Sequence, residues 1–194
     1  MEKTVVRTTL KAEEPALRYW LTRPVAERVA AVETLRQHYI AQHFDVEPRL
    51  QRVCRLLNSG GVEYLVVGGY ALAAHGHPRY TGDLDVWLRV TPDNLARVLA
   101  ALDAFGFGSL GLKESDFEAP GAVIQLGYPP GRIDLLTGID GVEFDCCYAR
   151  RLEVVLGGVR LPFLGLEDFK ANKRASGRLK DLADLESLGE PPVE

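Results

Sequence analysis

Val66-Val-Gly-Gly-Tyr-Ala-Leu-Ala-Ala-His-Gly-His-Pro-Arg-Tyr-Thr-Gly-Asp-Leu-Asp-Val-Trp-Leu88 is the stretch whose reading decides the fold. Glu63 to Val67 reads as a short buried strand, Gly68-Gly69 as a tight turn, Tyr70 to His75 as a short helix, and Leu84 to Val90 as a second strand. Asp83 and Asp85 carry the chemistry. Residues i and i+2 of a strand point to one face, roughly 7 Å apart. Two carboxylates there repel each other and are costly to bury without a partner. A divalent cation between them would remove that cost, and Mg²⁺ takes one or two carboxylates and completes its shell with water and substrate phosphate. Standing alone, an Asp-x-Asp pair fits solvated charges at the start of a strand equally well.

Gly68-Gly69 supplies context. Glycines after a strand permit a tight turn and close approach of a phosphate, and a helix N-terminus presents free N–H groups to it. A plain strand–helix turn would use the same two residues. The spacing is neither Gly-x-Gly-x-x-Gly nor a Walker loop, since no Gly-Lys-Ser/Thr follows. Asp134 interrupts another apolar run, Arg132-Ile-Asp-Leu-Leu136. Beside the first strand it would make three converging acids, enough for two cations; the alternative is a strand-end acid paired with Arg132.

Outward from this centre the segments alternate. Pro24 opens a helical stretch with Val25, Val29, Val32 and Tyr39 at helical spacing, and Leu50, Val53, Cys54 and Leu57 form a stripe that Gly60-Gly61 ends. Thr91-Pro92-Asp93 is a helix start. Ala122–Leu126 and Arg132–Leu136 read as strands, and Gly157-Gly158 as a two-residue hairpin turn between Leu152–Leu156 and Val159–Phe163. Leu179, Leu182, Leu185 and Leu188 mark a terminal helix with an apolar stripe. The interleaving predicts an α+β (mixed α/β) class: a small twisted mixed sheet flanked by helices over residues 48–194, with an N-terminal helical extension over 1–47.

Bulk properties narrow the function. The 194 residues are 46% hydrophobic and 26% charged with net charge −4. Any nucleic-acid contact is therefore local. No apolar run reaches the ~20 residues of a membrane span, and Met1-Glu-Lys-Thr-Val-Val-Arg7 lacks a signal core, so a cytoplasmic location is expected. Cys54, Cys146 and Cys147 read as buried, quiet thiols. His75 and His77 lack a third ligand and read as helix-end or loop residues.

Gly68-Gly69, Arg79-x-Thr81-x-Asp83-x-Asp85 and the later Asp134 together resemble the polymerase-beta-like nucleotidyltransferase superfamily, over roughly residues 50–188, and within it the small bacterial branch tied to toxin–antitoxin and abortive-infection systems. Lys170-Ala-Asn-Lys-Arg-Ala-Ser-Gly-Arg-Leu-Lys-Asp-Leu-Ala-Asp184 resembles that branch's Lys…Arg-x-Lys-Asp-x-x-Asp tail. Many members carry Gly-Ser where this chain has Gly-Gly. The resemblance implies that Asp83, Asp85 and Asp134 bind Mg²⁺ (or Mn²⁺) and act in catalysis. Gly68, Gly69, Arg79, Thr81, Lys170 and Lys173 would contact the nucleotide. The implied reaction moves an NMP from an NTP to an RNA 3′ end, such as tRNA, or to a protein hydroxyl. It also implies a cognate toxin or antitoxin partner. Two other readings compete: a catalytically weak or inactive, nucleotide-binding and partner-binding (antitoxin-like) module, suggested by Tyr19-Trp20 and the following helix, and a sugar-nucleotide glycosyltransferase, since those also use Asp-x-Asp with a metal.

Overall fold

A computed structural model describes residues 19–43, 49–129 and 131–190. Its elements are α1 (Val25–His43), α2 (Arg49–Ser59), β1 (Tyr64–Val66), α3 (Gly68–Ala74), β2 (Asp83–Leu88), α4 (Pro92–Leu102), β3 (Val123–Leu126), β4 (Arg132–Leu136), α5 (Phe144–Ala149), β5 (Leu152–Leu156), β6 (Val159–Phe163), α6 (Leu166–Ser176) and α7 (Leu179–Ser187). The six strands form one sheet in the order β3-β4-β2-β1-β6-β5. β1 lies antiparallel to β2 and parallel to β6, β2 lies parallel to β4, and the β3/β4 and β5/β6 hairpins close the two edges. The expected mixed sheet flanked by helices is what forms.

The parallel β2/β4 pair is the part that matters for the site. It requires a long crossover, which α4 and short irregular helices between Asp103 and Phe117 supply. α4 is capped as its sequence predicts: the Thr91 hydroxyl accepts from Asn94 N at 3.3 Å, with Pro92 next. Asn94, almost wholly buried, then ties the helix to the sheet. Its amide oxygen accepts from Glu63 N at 2.8 Å, and its amide nitrogen donates to Glu63 O at 2.9 Å and Arg89 O at 2.8 Å. Leu84, Val86, Ile133 and Leu135 lie on the opposite side of their strands from the aspartates and join Val53, Leu57, Val98 and Leu102 in the core. Val29 and Val32 of α1 are buried in the same core.

Several details differ from the sequence reading: the first strand is Tyr64–Val66, and the helix after it takes in Gly68 and Gly69 and ends at Ala74. The second strand begins at Asp83, so both acids lie within it, and it ends at Leu88. Leu179 is 87% exposed and only Leu185 of its leucine repeat is fully buried. A step of three on a 3.6-residue helix loses about 60° each time, so over nine residues the stripe migrates to the opposite side. Cys146 is exposed, whereas Cys54 and Cys147 are buried thiols. Expectations for Leu50, Tyr39 and residues 1–18 concern side chains or segments outside the described residues. Among the described residues no helix is long and apolar enough to cross a membrane.

Candidate metal centre

The β2/β4 register sets Asp85 directly opposite Asp134 and Asp83 opposite Arg132. Period-two alternation puts all four side chains on one face. Asp83, Asp85 and Asp134 each bring a carboxylate oxygen within 4.8 Å of the others. Each acid is held differently. Asp83 accepts from the Thr81 hydroxyl at 2.7 Å and from Arg132 Nη2 at 2.5 Å. Asp134, buried, accepts from Arg132 Nε at 2.7 Å, Arg132 Nη2 at 3.0 Å and Gln125 Nε2 at 3.3 Å. Arg132 therefore spans two of the three acids, and its hydrogen bond to Asp134 raises its own pKa further.

Asp85 is the acid without such a cation. Burial, then the charges of Asp83 and Asp134, push its pKa up to about 6, against the opposing pull of Lys180 and Lys173. The donor set therefore fits a hard divalent cation. Three oxygen ligands converge from rigid strands, and the carboxylate most penalised by its neighbours is the one with most to gain from a metal. Asp83, Asp85 and Asp134 would hold it.

The glycine pair shows why no side chain is tolerated beside this acid. Gly68 has φ +61, in the left-handed region. A Cβ there would sit 1.9 Å from Asp85 Oδ2, and one on Gly69 would sit 2.9 Å from Thr81 Cβ. Val67 N donates to Asp85 O at 3.0 Å, which fixes the turn against β2. The demand for glycine is thus set first by Asp85 and Thr81. The helix begins directly at Gly68 and is seven residues long.

The cations of the terminal tail are arranged as a buried network. α6 ends on Gly177 at φ 62, and α7 folds back against it. Lys173, buried, donates to Asp181 at 2.5 Å and pairs with Asp184 at 3.0 Å. Its ammonium also lies 5.2 Å from the Phe169 ring centroid. Arg178 reaches Asp181 at 2.6 Å, and Arg79 grips Asp184 through Nε and Nη2, each at 3.1 Å. Burial acts to raise the Asp181 pKa, but the hydrogen bonds from Lys173 and Arg178 outweigh it and hold the carboxyl below its ordinary value. Lys170 pairs with Glu190 at 3.1 Å and Glu167 at 3.6 Å. Among the described residues Lys180 has no carboxylate at ion-pair distance.

The structure thus brings Gly68, Gly69, Thr81, Asp83, Asp85 and Asp134 together. It sets Arg79 and Lys173 on the acids of α7, and Lys170 on Glu167 and Glu190. Two participants went unassigned in the sequence reading. Gln125 needs the β3/β4 register to be found. Arg132 as a clamp on two acids was half visible in its i−2 spacing from Asp134. His75 caps α3, its Nε2 2.8 Å from Leu164 O, and burial lowers its pKa.

No protein-family model matches the chain, and no curated protein matches it. Among solved structures, it is similar to a "putative nucleotidyltransferase" of Thermotoga maritima at 16% identity and a TM-score of 0.45, over 76% of this chain and 95% of that one. It is also similar to an antigenic nucleotidyltransferase-like protein of Paracoccidioides brasiliensis at 22% identity and a TM-score of 0.44, over 72% of this chain and 71% of that one. At such distances the functional reading rests on the site itself: three carboxylates on one face of two parallel strands, at the edge of a glycine turn with no room for a side chain.

Proposed function

We propose that this chain is a divalent-metal-dependent nucleotidyltransferase that moves an NMP from an NTP to a hydroxyl. The observation that carries the reading is the convergence of Asp83, Asp85 and Asp134 within 4.8 Å on neighbouring parallel strands. Bound Mg²⁺ or Mn²⁺ would supply charge neutralisation at the triphosphate and polarisation of the acceptor hydroxyl. The acceptor oxygen attacks the α-phosphorus, the bond from that phosphorus to the bridging oxygen breaks, and pyrophosphate leaves. Asp134 accepts the hydroxyl proton. Thr81 orients Asp83 through its 2.7 Å hydrogen bond, and Arg132 orients Asp134. The Gly68-Gly69 turn keeps the approach to Asp85 clear for phosphate oxygens. Lys180, with no carboxylate at ion-pair distance among the described residues, is the cation we assign to the phosphates, while Arg79 fixes α7 to the segment before Thr81, Lys173 fixes α7 to α6, and Lys170 braces α6. The resemblance of the Lys170–Asp184 tail to the small bacterial branch implies a toxin–antitoxin setting, with tRNA or a protein side chain as acceptor.

The test is transfer of label from α-³²P NTPs to tRNA or lysate protein in Mg²⁺ or Mn²⁺. Wild type is expected to label an acceptor and Asp85→Asn to abolish it. Label that persists unchanged in both Asp83→Asn and Asp85→Asn would refute the proposal.

A further inference from the structure

A cavity of about 890 Å³ lies among α7, the end of α3 and the segment around Trp20, with Arg79 and Lys180 in its lining. Lys180, Ala183, Asp184 and Ser187 line one wall, the i, i+3, i+4, i+7 face of α7. Leu72 and His75, at the far end of α3, form its floor. The opposing wall comes from the N-terminal segment, through Trp20 and Leu21. That segment is fitted closely to α3. A Cβ on Gly76 would lie 2.8 Å from Leu21 Cδ2 and 3.2 Å from an Arg28 nitrogen. Trp20 is buttressed edge-on by Tyr19 at 5.0 Å, and Arg23 covers the Tyr19 ring at 4.4 Å.

Polarity is graded along the cavity. Arg79, two residues before the Thr81 that holds Asp83, and Lys180, whose charge is felt at Asp85, form its cationic side. Trp20, Leu21, Leu72 and Leu188 supply its apolar surface, and Glu186 and His77 add polar groups. Asp184 adds no free negative charge, because Arg79 and Lys173 both pair with it. A volume within the roughly 300–1,000 Å³ of small-molecule sites, an indole wall and cations toward the metal centre suit a planar aromatic group attached to an anion.

We infer that this cavity receives the nucleoside of the nucleotide whose triphosphate the triad holds, and that the N-terminal segment around Trp20 is part of the substrate site. The inference rests on the function proposed above. It gives the N-terminal extension a task other than partner binding: its indole forms the wall against which the base lies, and it contributes to the choice of base.

The test is calorimetric titration of the full chain, in Mn²⁺, with ATP, GTP, CTP, UTP and inorganic triphosphate. Wild type, Trp20→Ala and Ala183→Trp are compared, each checked for an unchanged melting temperature; Ala183 is exposed, so tryptophan there fills the cavity without entering the core. At least one NTP should bind wild type about tenfold or more tightly than triphosphate. Both variants should erase that preference while leaving triphosphate affinity within about twofold. The preferred NTP should quench fluorescence in wild type but not in Trp20→Phe. A nucleotide preference that survives in both variants overturns the inference, as does triphosphate binding that no nucleoside improves; the latter leaves the metal centre intact as a phosphate site. If neither triphosphate nor any NTP binds, the functional reading falls and the inference with it.

Discussion

Gly68→Ala separates two effects that glycine substitutions usually confound. The residue has φ +61, where an L side chain costs about 1–2 kcal/mol. Gly61 provides the control, with φ +65 and nothing within 4 Å of an added Cβ. Gly61→Ala should therefore show the backbone cost alone, lowering the melting temperature by about 2–8 °C for a chain of this size. At Gly68 the new methyl would also lie 1.9 Å from Asp85 Oδ2, so the carboxylate must swing away or the turn must open. An off-rotamer side chain adds about 0.5–1.5 kcal/mol, and the displaced acid no longer converges with Asp83 and Asp134. Gly68→Ala should accordingly be destabilised beyond Gly61→Ala by about 1 kcal/mol or more. It should also lose Mn²⁺ binding by about tenfold or more, as measured by calorimetry, while Gly61→Ala keeps wild-type affinity. In an Asp85→Ala background most of the extra cost should disappear, leaving only the 3.2 Å approach to the retained Cβ of residue 85. Equal destabilisation at both glycines in the wild-type background, with metal affinity unchanged, would refute the placement of Asp85 against the turn.

Further expectations follow from the same network. Asp85 has its pKa raised to about 6, and metal requires the deprotonated form. Mn²⁺ affinity should hold at pH 7.5 and fall as pH drops below about 6, with the inflection absent in Asp85→Asn; a pH-independent affinity across that window would contradict it. Arg132→Gln removes the cation shared by Asp83 and Asp134. The metal-free protein should melt lower and gain more from added Mn²⁺ than wild type does, as read by thermal shift; an unaltered metal increment would count against the clamp. Lys173→Met removes the buried cation shared by Asp181 and Asp184, which keep Arg178 and Arg79, and should cost about 1–3 kcal/mol in urea denaturation. Lys170→Ala, whose partners sit nearer solvent, should cost about 1 kcal/mol or less. Thr81→Val removes the 2.7 Å hydrogen bond to Asp83 and should cost about 1 kcal/mol together with several-fold weaker Mn²⁺ binding.

Local signals in the sequence mapped well onto local structure. Asp83 and Asp85 share a face because a strand repeats every two residues, and Thr91-Pro92 starts α4 because its hydroxyl caps a free amide. What needed the third dimension was register and pairing. Asp134 could be a paired strand-end acid or a member of an acidic cluster, and the structure shows both arrangements at once: Arg132 holds it while it stands opposite Asp85. The tail charges were harder still. Lys170, Lys173, Arg178, Asp181 and Asp184 have the spacing of a solvated helix face, and only the reversal at Gly177 folds Lys173 onto Asp181 and Asp184. Leu179 misled because a run of threes imitates a helical stripe over a turn or two and then drifts off it. α5 carries no strong periodicity, and its six residues offered no signal.

The β2/β4 pairing also bears on how the chain reaches its native state. Arg132 and Asp83 are 49 positions apart, so the two strands meet only after a long segment has closed, a slow class of contact. That approach would bring one carboxylate up against two others, a repulsion growing as the strands align. The incoming strand carries its own counterion: Arg132 travels two residues ahead of Asp134, on the same face, and lands on Asp83. The encounter is therefore between an ion pair and two acids. An arginine at this position lowers the electrostatic barrier to strand docking before any metal arrives, so folding should slow in Arg132→Gln by more than its loss of stability requires of the unfolding rate.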